Sequence, residues 1–256
     1  MRRHRGISFQ RSAISIKIPD LMDQRLRSVM YGSTDPSLPP RIVLAAAHLA
    51  GIFAVAWLLV GEGILRIAHL LGVHWQPGDF PRRELLLACA AVYFLRLLLT
   101  GFVFLKRRVT WSETWTIVPW ILAIHLSFAL LGGTNPAPLS WCDWLALALY
   151  AAGSYLNTGS ERSRHIWKQR PENQGRLYTR GLFRLARHIN YFGDWTLFSG
   201  YALLTGRIWA GIVPVLMLAG FVFINVPALD SHLREKYAAD FELYARRTKK
   251  LIPYVY

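Results

Sequence analysis

An all-α fold, a polytopic membrane bundle of about six helices with five or seven also allowed, is predicted for this 256-residue chain by three observations. It is 53% hydrophobic with ten tryptophans and a mean hydropathy of +0.25, too apolar for an ordinary soluble domain of its length. Apolar runs of about 20 residues, the length a helix needs to cross hydrocarbon, recur along it. The formal net charge of +15 sits between those runs, which argues against nucleic acid and for membrane lipid as the partner of the charge.

Residues 1–40 read as a basic cytoplasmic arm and linker, with Arg2, Arg3, Arg5, Arg11, Lys17, Arg25 and Arg27 and no acidic residue before Asp20. The arm lacks the apolar core of a secretory signal. It is either a transit peptide or an arm lying on anionic lipid. Pro36, Pro39 and Pro40 mark a stiff linker into the first span. Residues 41–256 are then one membrane-embedded domain, with spans expected at 42–60, 85–105, 115–131, 141–156, 191–205 and 208–229.

Lys106, Arg107 and Arg108 follow the second span, and most other cations lie in 157–194 and 230–256. The positive-inside rule places these segments, and both termini, on the cytoplasmic side of an integral multi-pass protein. The loop 132–140, GGTNPAPLS, is uncharged and fits the other face, where Arg66, Arg82 and Arg83 run against the rule. Trp57, Trp75, Trp111, Trp115 and Trp141, near span ends, form an interfacial belt. Cys89 and Cys142 fall in apolar runs, where they pack as small hydrophobes and imply neither a disulfide framework nor a metal site.

The block 157–194 places Arg, His, Asn and carboxylate groups beside hydrocarbon, an arrangement that is expensive unless it has a function such as holding an anionic cofactor. Asn157, Glu161, His165 and Lys168 are spaced by four, four and three, so they line one face if the fourth span continues as a helix past Leu156. Pro171 ends that helix, and residues 171–175 form a turn. Arg176, Arg180, Arg184 and Arg187 follow, suited to bidentate contacts with phosphates.

The run Gly181-Leu182-Phe183 and then Arg187-His188-Ile189-Asn190-Tyr191-Phe192-Gly193-Asp194, with the tail Tyr244-Ala245-Arg246-Arg247-Thr248-Lys249-Lys250-Leu251-Ile252-Pro253, resembles the C-terminal part of the steroid 5-alpha-reductase family. The resemblance covers about the last 100 residues, an ordinary domain length. Ile189 stands where the family motif has proline and Asp194 where it has glutamate, changes expected to loosen a turn and shorten a carboxylate arm. The resemblance implies NADPH as cofactor and reduction of a carbon–carbon double bond conjugated to a carbonyl, as in a 3-oxo-5-alpha-steroid 4-dehydrogenase. The substrate would be a lipophilic molecule drawn from the bilayer. Carried over residue by residue, it assigns Asn157, Glu161, Lys168, Arg187, His188, Asn190, Tyr191, Asp194 and Tyr237 to cofactor binding, with His232 a weaker addition. No G-x-G-x-x-G follows a strand pattern, so a Rossmann site is not supported.

Hydride delivery to an enone puts negative charge on the carbonyl oxygen, which then needs a hydrogen-bond donor. In the family a glutamate and a tyrosine in a His-Tyr-x-x-Arg pattern share that role. Val92-Tyr93-Phe94-Leu95-Arg96 resembles the pattern without its histidine, and Glu62 lies a comparable distance upstream. Glu62 and Tyr93 are therefore the expected catalytic pair; burial of Glu62 among Leu58, Leu59, Ile64 and Leu65 would favour its neutral, donating form, whereas a span ending at Val60 would leave it interfacial beside Gly61 and Gly63. Glu113 is the rival carboxylate, although at the start of a span, just after Ser112, it better suits a first-turn role favoured by the helix dipole. Two other readings stay open: an S-adenosylmethionine-dependent methyltransferase similar to the isoprenylcysteine carboxyl methyltransferases, and a non-catalytic membrane protein of the same fold.

Overall fold

The structure, a computed structural model, describes residues 37–256, so the expectations for the basic arm and Pro36 lie outside the described residues. Among the described residues, eight α-helices occur: α1 (Leu38–Leu59), α2 (Gly63–Leu71), α3 (Phe80–Leu98), α4 (Trp111–Gly133), α5 (Trp141–Lys168), α6 (Ile189–Leu204), α7 (Ile212–Gly220) and α8 (Val226–Arg247). π-helical segments Leu99–Phe104 and Phe221–Asn225 extend α3 and join α7 to α8. No strand occurs among the described residues.

Among the described residues, four stretches are long and apolar enough to cross a membrane: Leu38–Leu59, Phe80–Phe104, Trp111–Gly133 and the one that begins at Ile208. The chain is thus a polytopic membrane helical bundle. The other two expected spans are the apolar part of α5, whose last turns are polar, and α6, which has 16 residues and reaches about 24 Å.

Local chemistry sets the helix starts. Asp79 accepts from the backbone N–H of Arg82 at 3.1 Å to begin α3. Thr110 does the same for Glu113 and α4, again at 3.1 Å. Pro39 and Pro40 fall in the first turn of α1, where a missing N–H costs nothing, rather than in a linker. The short α2 is amphipathic: Ile64 and Ala68 turn inward while Leu70 and Leu71 are exposed.

The core joins Val55, Leu58 and Leu59 of α1 to Leu86 of α3, Ile124 and Phe128 of α4, Tyr150 of α5, and Leu197, Phe198 and Tyr201 of α6. Apolar burial does not drive helices together in lipid, so close van der Waals contact must. Glycines supply it between α5 and α6. A Cβ on Gly153 would lie 2.3 Å from the Leu197 nitrogen, and one on Gly193 would lie 2.5 Å from the Asn157 nitrogen. That second contact brings the α6 N-terminus onto the polar turns of α5.

The bundle has two unlike ends. Arg41 donates to the carbonyls of Leu105 (3.0 Å) and Arg107 (2.6 Å), and Arg96 reaches Thr158, so the start of α1, the end of α3 and the polar part of α5 share one end. At the other end Arg82 forms a buried ion pair with Asp143 and donates to the Leu204 carbonyl at 2.6 Å. Arg83 donates to the Leu59 carbonyl at 2.6 Å, and Arg66 pairs with Glu62 at 2.9 Å. Of the three arginines that ran against the charge rule, Arg66 and Arg82 are thus paired with carboxylates and Arg83 with backbone carbonyls. Trp57, Trp75, Trp111, Trp115 and Trp141 are all exposed, as a belt requires, and Cys89 packs in the core.

Candidate functional site

α5 does continue past Leu156, to Lys168, and the turn at Pro171 follows. Its polar turns meet α6 in one hydrogen-bonded network. Asn157 Nδ2 donates to the Asn190 carbonyl at 3.1 Å, and Asn190 Nδ2 donates to Glu161 Oε1 at 3.1 Å. The other Glu161 oxygen accepts from Arg164. Arg96 enters from α3: its Nε donates to Thr158 Oγ1 at 2.8 Å and its Nη2 to Asp194 Oδ1 at 3.3 Å. Its Nη1 is buried and has no hydrogen-bond partner among the described residues. Four expected cofactor residues, Asn157, Glu161, Asn190 and Asp194, are thus brought together, with Thr158 and Arg96 added. Arg96 had a sequence signal: it lies three residues after Tyr93, on the same helical face.

A second group holds the tail. Arg187 donates to Asp230 through Nη2 (2.7 Å) and Nε (3.3 Å), and to the carbonyls of Thr248 (2.7 Å) and Ala245 (3.1 Å) through Nη1. His188 Nε2 lies 2.8 Å from Asp230 Oδ1. Burial pushes the His188 imidazole below its ordinary pKa, and the Asp230 carboxylate only partly offsets this, so the neutral ring donates to Asp230. The backbone N–H groups of Arg187 and His188 donate to the Lys249 and Lys250 carbonyls at 2.8 and 2.9 Å. Ile189, in the motif's proline position, occupies the first turn of α6 and is fully buried beside Tyr178, Phe183 and Ala186. The turn expected to loosen is held by the tail and by that apolar contact. Arg187, expected to meet phosphate, instead has its guanidinium turned into the protein.

Tyr191 joins the two groups, its ring stacked on His188 (5.7 Å between centroids) and on Phe221 (4.9 Å). Lys168 donates to Tyr237 Oη at 3.2 Å and to the Arg176 carbonyl. Burial first, and then the Arg164 guanidinium, lower the pKa of its ammonium. α8 breaks just after Tyr237, at Ala238, whose φ of 41° is a strained value for a residue with a Cβ. Tyr244 is buried and donates to the Phe183 carbonyl at 2.6 Å.

Tyr93 lies deeper in the bundle, beneath Arg96, whose guanidinium carbon is 5.7 Å from its ring centroid. Phe198 (5.0 Å), His48 (5.5 Å) and His125 (5.6 Å) surround it. Glu62 is not among these neighbours. It lies at the other end of α1 in the turn before α2, its side chain 69% exposed and paired with Arg66, so the expected burial is absent. Gly61 and Gly63 take the chain through that turn, Ile64 enters the core, and Glu62 points out. Glu113 is a first-turn residue, paired with Arg107 at 2.5 Å. Asp230, His48 and His125 were not foreseen. The only signal for the histidines was a polar residue inside each of two apolar spans.

A family model described as "Protein of unknown function (DUF1295)" matches residues 107–248. The chain is 29% identical over 157 residues to the Delta(14)-sterol reductase erg24 of Schizosaccharomyces pombe, covering 54% of this chain and 36% of that one. It is 32% identical over 123 residues to the steroid 5-alpha-reductase DET2 of Arabidopsis thaliana, covering 46% and 44%. It is 23% identical over 162 residues to a probable protein-S-isoprenylcysteine O-methyltransferase of Oryza sativa subsp. indica, covering 59% and 84%. The chain spans about a third of the length of the sterol reductases it matches.

Proposed function

This chain belongs to the DUF1295 family, the steroid 5-alpha-reductase-like family, and from that premise we propose that it is a membrane-embedded, NADPH-dependent reductase of a carbon–carbon double bond conjugated to a carbonyl in a lipophilic substrate. The observation that carries the reading is Arg96, which stands over the Tyr93 ring and pairs with Asp194. It connects the residue suited to the carbonyl with the residues suited to the dinucleotide.

The residues present fit that cofactor. Arg96 Nη1 is a buried donor without a partner among the described residues, a state that calls for a ligand. Asp194, Glu161 and Asn157 would hold ribose hydroxyls and a carboxamide, and Lys168 and Arg164 would offer cations for phosphate. Tyr191 and Tyr237 flank this set. Arg187 and His188 hold the tail against it through Asp230. These segments, 157–194 and 230–256, face the cytoplasm in the proposed orientation.

Bound there, NADPH would supply the hydride that the carbon far from the carbonyl accepts, and a proton drawn from water would complete the reduction at the nearer carbon. Tyr93 donates a hydrogen bond to the carbonyl oxygen, where negative charge gathers in the transition state. Phe198, packed edge-on against the Tyr93 ring at 5.0 Å, strengthens that bond by excluding water. Glu62, exposed and paired with Arg66, has no part in this step.

The second reading, an S-adenosylmethionine-dependent methyltransferase, has in its favour a match that covers 84% of the rice methyltransferase. One assay separates the two. Purified protein in detergent is expected to gain thermal stability with NADPH and none with S-adenosylmethionine. The reverse pattern contradicts the reductase, and a shift with neither favours a non-catalytic member of the fold.

A further inference from the structure

His48 of α1 and His125 of α4 are fully buried, and their Nε2 atoms lie 3.1 Å apart, a hydrogen bond across 77 residues of sequence. Each neutral imidazole carries one N–H. One Nε2 must therefore be the donor and the other the acceptor. It follows that the acceptor ring carries its hydrogen on Nδ1, while the donor ring has a bare Nδ1. Neither Nδ1 has a partner among the described residues. The pair thus presents one donor and one acceptor, both unused, in the middle of an apolar bundle. Buried polar atoms are satisfied in nearly all proteins, and polar groups inside membrane spans are kept mainly for function.

The surroundings are aromatic. Tyr93 contacts both rings, Phe94 lies 5.5 Å from His48, and Tyr201 lies 5.8 Å from His125. An apolar lining with a few convergent polar groups is what a lipophilic ligand with one oxygen function needs. We propose that the His48–His125 pair is the subsite that binds the oxygen function of the lipid, fixing that oxygen beside Tyr93 and selecting oxygenated over hydrocarbon ligands. This rests on the reading of the chain as acting on an enone lipid. The imidazole N–H donates to the lipid oxygen, whose second lone pair remains for Tyr93. The bare nitrogen accepts from a hydroxyl or from a water that accompanies the ligand. Phe94, only partly buried, is the ring that moves to admit it.

The test compares cholest-4-en-3-one with cholest-4-ene, which differ only at that oxygen, in equilibrium binding to the full-length protein in lipid nanodiscs without dinucleotide. The parent is expected to bind the ketone at least tenfold more tightly, since a site built for a hydrogen bond rejects a ligand that lacks it. His48→Phe combined with His125→Phe is expected to lose that preference. The double variant should be no less heat-stable than the parent, because no polar atom is left stranded, and its NADPH thermal shift should be unchanged. A parent that binds the two equally, or binds neither, overturns the proposal, and so does a double variant that keeps the preference. The parental comparison decides even if the double variant fails to fold. Loss of the NADPH shift in the parent would instead sink the reductase reading, whatever the outcome with the ketone.

Discussion

The Nη2 of Arg96 lies 3.3 Å from Oδ1 of Asp194, which ties the α3 helix bearing Tyr93 to the α6 helix bearing the polar motif. Two kinds of variant should therefore behave differently. Asp194→Ala and Arg96→Leu each remove a charged hydrogen bond, worth about 1.5–3 kcal/mol, so NADPH affinity should fall roughly 10–100-fold. Tyr93→Phe should leave that affinity within about twofold and lower turnover about 100-fold or more, as loss of an oxyanion donor does. Fluorescence titration and initial rates on the same preparations distinguish these. A Tyr93→Phe protein with full turnover would remove Tyr93 from the carbonyl.

The ion pair between Arg187 and Asp230 is buried, with side-chain exposures of 6% and 10%. Removing one partner of such a pair costs about 3–5 kcal/mol, because the other charge is stranded. Asp230→Ala should accordingly lower the melting temperature strongly and expose residues 226–256 to protease, with or without NADPH. A variant that melts like the parent and loses only cofactor affinity would place Arg187 on the phosphate after all.

His188 gives the stability a pH dependence. Its folded-state pKa is lowered, first by burial, while the unfolded value is about 6.5. Between the two the unfolded chain binds more protons, so stability rises with pH through that window and falls as the solution is acidified below about 6.5. Melting curves from neutral to mildly acidic pH should show this slope, and His188→Gln should flatten it. An equal slope in the variant would assign the effect to another group.

Gly153 is where α5 and α6 come closest, so even one added carbon must displace the Leu197 backbone. Gly153→Ala should cost about 1–3 kcal/mol, the usual penalty for overpacking. The same change at Gly101, which has open space around it, should cost far less. Thermal melts of the two variants make the comparison.

The polar network at one end of the bundle was legible because its signal is local: Asn157, Glu161 and Lys168 repeat with the helical period, and Asn190 to Asp194 sit in one motif. Contacts that depend on topology were not. Asp230 meets Arg187 across 43 residues and His48 meets His125 across 77, and neither spacing follows any local period. Glu62 shows how apolar neighbours mislead. Leu58, Leu59 and Ile64 are buried as expected, yet the turn between them sends the glutamate outward, where Arg66 receives it. Arg82 shows the converse, since a cation on the uncharged side of the bundle found Asp143 inside it.

The central claim, that dinucleotide and enone meet at Arg96 and Tyr93, is tested most directly by isotope transfer. Purified protein would be incubated with an enone steroid and NADPH carrying deuterium at the nicotinamide C4, and the lipid product read by mass spectrometry. The expected result is a reduced product with deuterium on the carbon far from the carbonyl, formed by the parent and not by Tyr93→Phe. Unchanged enone with NADPH, together with methyl transfer from S-adenosylmethionine to an acceptor, would contradict it.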